Sequence, residues 1–202
     1  MNKQRVIEIA RSAMCERKPM TTREKGYVFH HGLRTAKIAI NLLDVIDYSP
    51  EVHPDILFTA AVFHDIGKGI KPHNETGANM AGDLLKGECH PDEISAITQI
   101  IREHNQRHRA LECTTAARIH QDADILDHFG AQSVWLAFHW NTVHEETPDQ
   151  SLEFYIGKEN QQWITWARAS LNFDASRENF DKRLAFERSF FNRFNNEING
   201  NL

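Results

Sequence analysis

Along almost the whole chain apolar residues return every three or four positions, the spacing that paints one face of a helix. Val6, Ile7, Ile9, Ala10, Ala13 and Met14 predict a first helix over about 3–17, which Lys18-Pro19 ends. Val28, Leu33, Ala36, Ile38, Ala39, Leu42, Leu43 and Ile46 predict a long helix over 25–46 with His31 near its start, and "DYSPEVHP" supplies the turn after it. A largely buried helix over 54–66 follows, with Pro54 tolerated in its first turn and Gly67 and Gly69 as its stop. Shorter helices are expected over 75–86, closed by Gly87, and over 91–104, opened by Pro91, Asp92 and Glu93. Two more, over 115–128 and 130–146, divide near Gly130, and the tail reads as 150–171 and 175–198. In that tail Phe180, Leu184, Phe186, Phe190, Phe191 and Phe194 keep helical spacing, which marks core or packing-interface residues. No segment alternates as a strand does, so the predicted fold class is all-α.

Composition narrows the class. A length of 202 residues with no linker-like stretch favours one domain over 1–202. The 41% hydrophobic and 25% charged content is that of an ordinary globular protein, and no apolar run nears the roughly 18 residues that cross a bilayer, so no membrane partner is expected. The N-terminal stretch carries Glu8 within its apolar portion and lacks a secretory core, which makes the cytoplasm the expected compartment. Cys15, Cys89 and Cys113 are odd in number and far apart, as reduced structural thiols are. A net charge of -5 argues against general nucleic-acid binding and leaves room for small phosphorylated ligands held by a few cations or a metal. The unusual number is twelve histidines, whose meaning depends on their spacing.

"AAVFHDIGKGIKPH" is where that spacing becomes informative, because an apolar run stops on His64-Asp65. A His-Asp pair alone is no more than chance supplies. Adjacent residues on a helix point about 100° apart, so both can face one ion only where the helix ends or bends, as Gly67 permits. His31, His73, His104 and Asp124 also fall at predicted helix ends or faces, and a helical bundle can bring such positions to one site. Imidazoles with carboxylates suit Zn, Fe, Mn, Co or Ni, and one aspartate can bridge two ions.

The elements "HHGLRTAKIA", "AAVFHDIGK", "HNETGA", "IIREHN" and "DADILD" in this order resemble the HD-domain metal-dependent phosphohydrolase superfamily. The resemblance spans about residues 28–130, and it implies a single-domain helical bundle with the helices of 131–198 packed on that core. Position by position, it implies that His31, His64, Asp65 and Asp124 hold one divalent metal. Asp65 would bridge to a second ion completed by His73 and His104, as in the binuclear branches; in one-metal relatives histidines at these places contact phosphate instead. His-x-x-Arg spacing to Arg34 selects His31 over His30. His90, His108, His128, His139 and His144 are expected to be caps, solvated side chains or core hydrogen-bonders. His120 is the exception to watch, four residues before Asp124 on the same face.

Asp65 and Lys68 are the expected catalytic residues, with a metal-activated water as nucleophile and a nucleotide or other small phosphate ester as substrate. Lys68 has a plainer role open to it, as a solvated charge at a helix C-terminus; the family pattern favours contact with substrate phosphate. Arg34 either binds phosphate or pairs with a neighbouring carboxylate. The reaction would be that of a phosphomonoesterase, a phosphodiesterase or a nucleotide pyrophosphohydrolase. The Gly-Tyr-Pro of cyclic-dinucleotide-cleaving relatives is missing, since "NQRHRALE" follows His104. Two alternatives stand beside hydrolysis: an HD-type diiron oxygenase, which the "HDIGK" lysine disfavours, and a non-catalytic metal-bearing sensor.

Overall fold

The computed structural model describes residues 1–46 and 51–201. Ten α-helices account for most of them: α1 Lys3–Met14, α2 Tyr27–Val45, α3 Pro54–Phe63, α4 His73–Leu84, α5 Pro91–Glu103, α6 Thr115–Asp127, α7 Ala131–His144, α8 Pro148–Ile156, α9 Lys158–Ala169 and α10 Asp174–Ile198. A 3-10 segment lies at Arg107–Glu112. Among the described residues there is no strand, only an isolated bridge between Lys86 and Cys89, and no helix is long and apolar enough to cross a membrane.

The long apolar face of α2 is shared by two cores. Towards the N-terminal half, Phe29 and Ala36 pack with Val6 and Met14 of α1, Phe63 of α3 and Ile101 of α5. On the other side, Leu42 and Leu43 meet Ile119 and Leu126 of α6, Ile164 of α9, and Phe180 and Leu184 of α10. Each fully buried side chain of this size stabilises by roughly 1.5–3 kcal/mol, so α2 is the element around which the rest is ordered. It packs on α3 and α6, and α4 packs on α5, which leaves the ends of α3, α4, α5 and α6 around one spot on α2.

Several boundaries differ from the periodicity. Helix α1 stops at Met14 instead of running to 17, and Arg17 beyond it donates to the backbone carbonyls of Ile66 and Lys68, at 3.2 Å for the latter. Helix α3 stops at Phe63 because successive tight turns take over, with Ile66, Lys68 and Ile70 amides donating to Phe63, Asp65 and Gly67 carbonyls. Helix α4 begins at His73, two residues early, with Pro72 as its N-cap. The expected helix over 150–171 is two helices: Gly157, a weak helix former, is extended there, and Asn160 donates to the Tyr155 carbonyl that α8 leaves open (2.7 Å). Helix α7 ends at His144 on Glu145, which adopts left-handed backbone (φ 55°). Of "DYSPEVHP", residues 47–50 lie outside the described residues. Among the tail aromatics, Phe180, Leu184 and Phe191 are buried, Phe190 and Phe194 pack against Phe138, and Phe186 is half exposed.

Candidate metal centre

Two helices end on a histidine in the same way. His64 follows α3 and His104 follows α5, both still with helical backbone (φ -53°, ψ -37° and φ -60°, ψ -28°). The last carbonyls of a helix have no partner within it, and here each ring turns back to supply one. His64 Nδ1 donates to the Ala61 carbonyl (2.8 Å) and His104 Nδ1 to that of Ile101 (2.7 Å). In α2, His31 Nδ1 donates to the Asp127 carboxylate (2.7 Å). None of these acceptors can donate, so the proton sits on Nδ1 in all three rings, and each Nε2 is presented to the space between the helices.

Those nitrogens converge on two carboxylates. His31 Nε2 is 3.0 Å from Asp124 Oδ1, and His64 Nε2 is 3.7 Å from the same oxygen and 3.8 Å from Asp65 Oδ2. On the other side of Asp65, Oδ1 lies 3.8 Å from His73 Nε2 and 3.9 Å from His104 Nε2, and those two nitrogens are 3.1 Å apart. The ligand-type atoms form three groups tight enough for an ion: His31, His64 and Asp65; His31, Asp124 and His128; and Asp65, His73 and His104. Asp65 belongs to two of them. The donor set fits a divalent transition metal. His64 Nε2 is buried with no hydrogen-bond partner, a need that a cation meets and a packed core does not.

Close backbone contacts make this geometry possible. A Cβ on Gly32 would lie 2.3 Å from the Val62 carbonyl oxygen, so only glycine beside His31 lets α2 approach α3 until the His31 and His64 rings are 4.9 Å apart. A Cβ on Gly67 would lie 2.2 Å from the His73 carbonyl oxygen and 2.6 Å from the Gly77 nitrogen, which seats the "HDIGK" turn against the start of α4.

The electrostatics sort the site into charged and neutral groups. Burial opposes charge on His31, but Asp124 and Asp127 prevail and hold its pKa up at about 9. Burial likewise opposes charge on Asp65, yet His64 and Lys68 keep it far below the usual carboxylate range; for Asp124, His31 and His64 do the same. His104 is pushed down to about 4 by burial and by His64, and His73 is lowered by burial and by Lys68. At neutral pH two carboxylates are therefore ionised, His73 and His104 are neutral, and a second proton on His31 bridges to Asp124.

All six sequence-predicted ligands, His31, His64, Asp65, His73, His104 and Asp124, are brought together. Lys68 Nζ lies 3.2 Å and 3.3 Å from the two Asp65 oxygens and borders a cavity of about 220 Å³ with Asp65, His73, His104 and Asp124. Arg34 does not border that cavity. It forks onto Asp127, with Nε and Nη2 donating at 2.9 Å, which is the ion-pair alternative. Sequence reasoning passed over Asp127, Arg107 and Arg23, and left His128 among the histidines expected to cap, face solvent or hydrogen-bond in the core. Asp127 orients His31, and its place three residues after Asp124 was the available signal. His128, four after Asp124, has its ring centroid 5.0 Å from that of His31. Arg107 donates to Asp124 Oδ2 (2.5 Å), and Arg23 lines the cavity beside it. His120 is fully buried 4.7 Å from the His64 ring centroid, with neither nitrogen hydrogen-bonded.

The HD domain family model matches residues 28–128, the stretch that carries all six candidate ligands. The chain belongs to the HD-domain family. HD domains bind divalent metals, and the family includes metal-dependent hydrolases. Among solved structures, the chain is similar to Bacillus subtilis YpgQ (TM-score 0.71, 18% identity, covering 97% of this chain and 95% of that one). It is also similar to YpgQ in complex with ADP (TM-score 0.66, 17% identity, 98% of each chain). A third is an HD-superfamily hydrolase from Bacillus thuringiensis (TM-score 0.67, 20% identity, 98% of this chain and 99% of that one). At these identities the likeness is one of fold. No curated protein matches the chain.

Proposed function

We propose that this HD domain is a phosphohydrolase that acts on a small phosphate ester, nucleotides foremost, with two metal sites sharing Asp65. The observation that carries the reading is the set of three imidazoles with Nδ1 committed to a carboxylate or carbonyl and Nε2 aimed at Asp65 and Asp124. His31, His64, Asp65 and Asp124 would hold the first ion, and Asp65, His73 and His104 the second. A divalent ion there supplies Lewis acidity, neutralising phosphate oxygens and lowering the pKa of water from about 15.7 to about 7.

The protein's own groups do the rest. Lys68, Arg23 and Arg107 put three cations around the same cavity, the complement of a phosphate or diphosphate. Asp65 holds the Lys68 ammonium at its mouth, where it meets a phosphate oxygen and stabilises charge developing on it. The Asp124 carboxylate, kept ionised, accepts a hydrogen bond from the attacking water and orients it. The fold neighbour complexed with ADP supports a nucleotide substrate.

The test is release of phosphate or pyrophosphate from a panel of nucleotides and generic phosphate esters with Mn²⁺ or Co²⁺ under anaerobic conditions. Asp65→Ala is expected to lose metal and activity together. Lys68→Ala should keep its metal and slow turnover by about 100-fold. Activity that requires O₂, or metal loss in Lys68→Ala, would overturn this assignment.

A further inference from the structure

A second cavity, of about 310 Å³, opens between α7, α8 and α9. It shares two lining residues, Arg23 and His128, with the metal-site cavity, so the two lie side by side. Its walls are of a different kind. Trp140 from α7, Phe154 from α8 and Trp163 from α9 border it, and they remain 41%, 61% and 42% exposed. Large aromatics left open around a recess mark a binding groove, and the volume suits part of a small molecule. At the junction, the Arg23 Nε is buried without a hydrogen-bond partner, although Nη1 of the same guanidinium donates to the Thr22 carbonyl (3.2 Å). Asn160, also on the wall of this cavity, uses its amide nitrogen on the Tyr155 carbonyl, which leaves its oxygen to accept.

We infer that this recess is the subsite for the planar heteroaromatic group of the phosphate ester, the base of a nucleotide, with Trp140, Phe154 and Trp163 as its aromatic walls and Arg23 at the join between base and phosphate. The inference rests on the phosphohydrolase reading for its substrate and deepens it. Stacking on an aromatic wall tolerates any base, because every base has a π-face. Arg23 spans the junction where the sugar would pass, and its unmet Nε–H is a donor for a ribose or phosphate oxygen. The Asn160 oxygen is an acceptor for an exocyclic amine or a ring N–H.

The experiment compares adenosine 5′-monophosphate with ribose 5-phosphate, binding being read by calorimetry and tryptophan quenching with a chelator present, so that neither metal nor turnover is needed. The wild-type chain should bind the nucleotide about tenfold or more tighter than the sugar phosphate. Trp163→Ala should bring that ratio to within about twofold. Because Trp163 also stacks on Phe129 and Trp166, Ala137→Leu is made alongside; it narrows the recess from α7 without removing that packing. A wild-type ratio near one, or a ratio unchanged in both variants, overturns the subsite. If the nucleotide preference is found and is lost in the variants while no ester is hydrolysed, the subsite stands and the hydrolase reading falls; hydrolysis with a ratio near one gives the reverse.

Discussion

Asp127→Asn isolates the group that orients His31. Asp127 is 2% exposed; its Oδ2 accepts from His31 Nδ1 at 2.7 Å and from Arg34 Nη2 at 2.9 Å, and its Oδ1 from Arg34 Nε at 2.9 Å. Asparagine keeps the shape, but turns one oxygen into an amide that can only donate, so either the imidazole or the guanidinium loses its acceptor. A hydrogen bond to a charged group contributes about 1.5–3 kcal/mol; the Arg34 arm is a third exposed and falls at the low end. The metal-free variant should therefore be less stable by about 1.5–3 kcal/mol, a Tm drop of about 3–12 °C for a chain this size. Loss of an orienting partner to a metal-binding histidine lowers metal affinity by about 10–100-fold. Arg34→Ala is the control: it keeps the His31–Asp127 bond and should change affinity by less than about threefold. Thermal unfolding in chelator and a Mn²⁺ titration measure the two effects separately. Equal losses of affinity in Asp127→Asn and Arg34→Ala would refute the orienting role.

The raised pKa of His31 fixes a pH dependence for the metal-free chain. Its stabilisation is fully present below the ordinary value of 6.5 and is lost as pH rises through about 9, so Tm in chelator should fall over that window. Metal affinity runs the other way, rising towards pH 9, and near pH 7 binding should release about one proton, read by calorimetry in buffers of different ionisation enthalpy; no proton release would contradict the bridged His31–Asp124 pair. Gly67→Ala places a Cβ 2.2 Å from the His73 carbonyl oxygen, so α4 must shift. That variant should lose about 2 kcal/mol and bind the ion held by His73 and His104 more weakly than the other, which separate metal titrations of the two sites would measure.

The helices around the site were legible because their apolar stripes are long and regular: α2, α3 and α5 stand within a few residues of where the periodicity puts them. His64 and His104 were legible for a related reason, since a histidine that closes an apolar helix marks where the core meets the site. What stayed hidden depends on tertiary placement. Arg23 lies in the irregular stretch between α1 and α2, and Arg107 in a 3-10 segment with no apolar period, so nothing local says that both reach the same cavity. Arg34 sits at the expected spacing from His31, and only the buried Asp127 opposite it decides that it pairs there. The single helix expected over 150–171 hid the break at Gly157, and with it the aromatic recess that α8 and α9 enclose.

Whether Asp65 joins two ions is read from the metal content of the reconstituted chain. Wild-type protein should carry about two equivalents of Mn²⁺ or Co²⁺, His73→Ala about one, and Asp65→Ala neither ion stably. One equivalent in both wild type and His73→Ala would rule out the second ion and return His73 and His104 to substrate contact or structure.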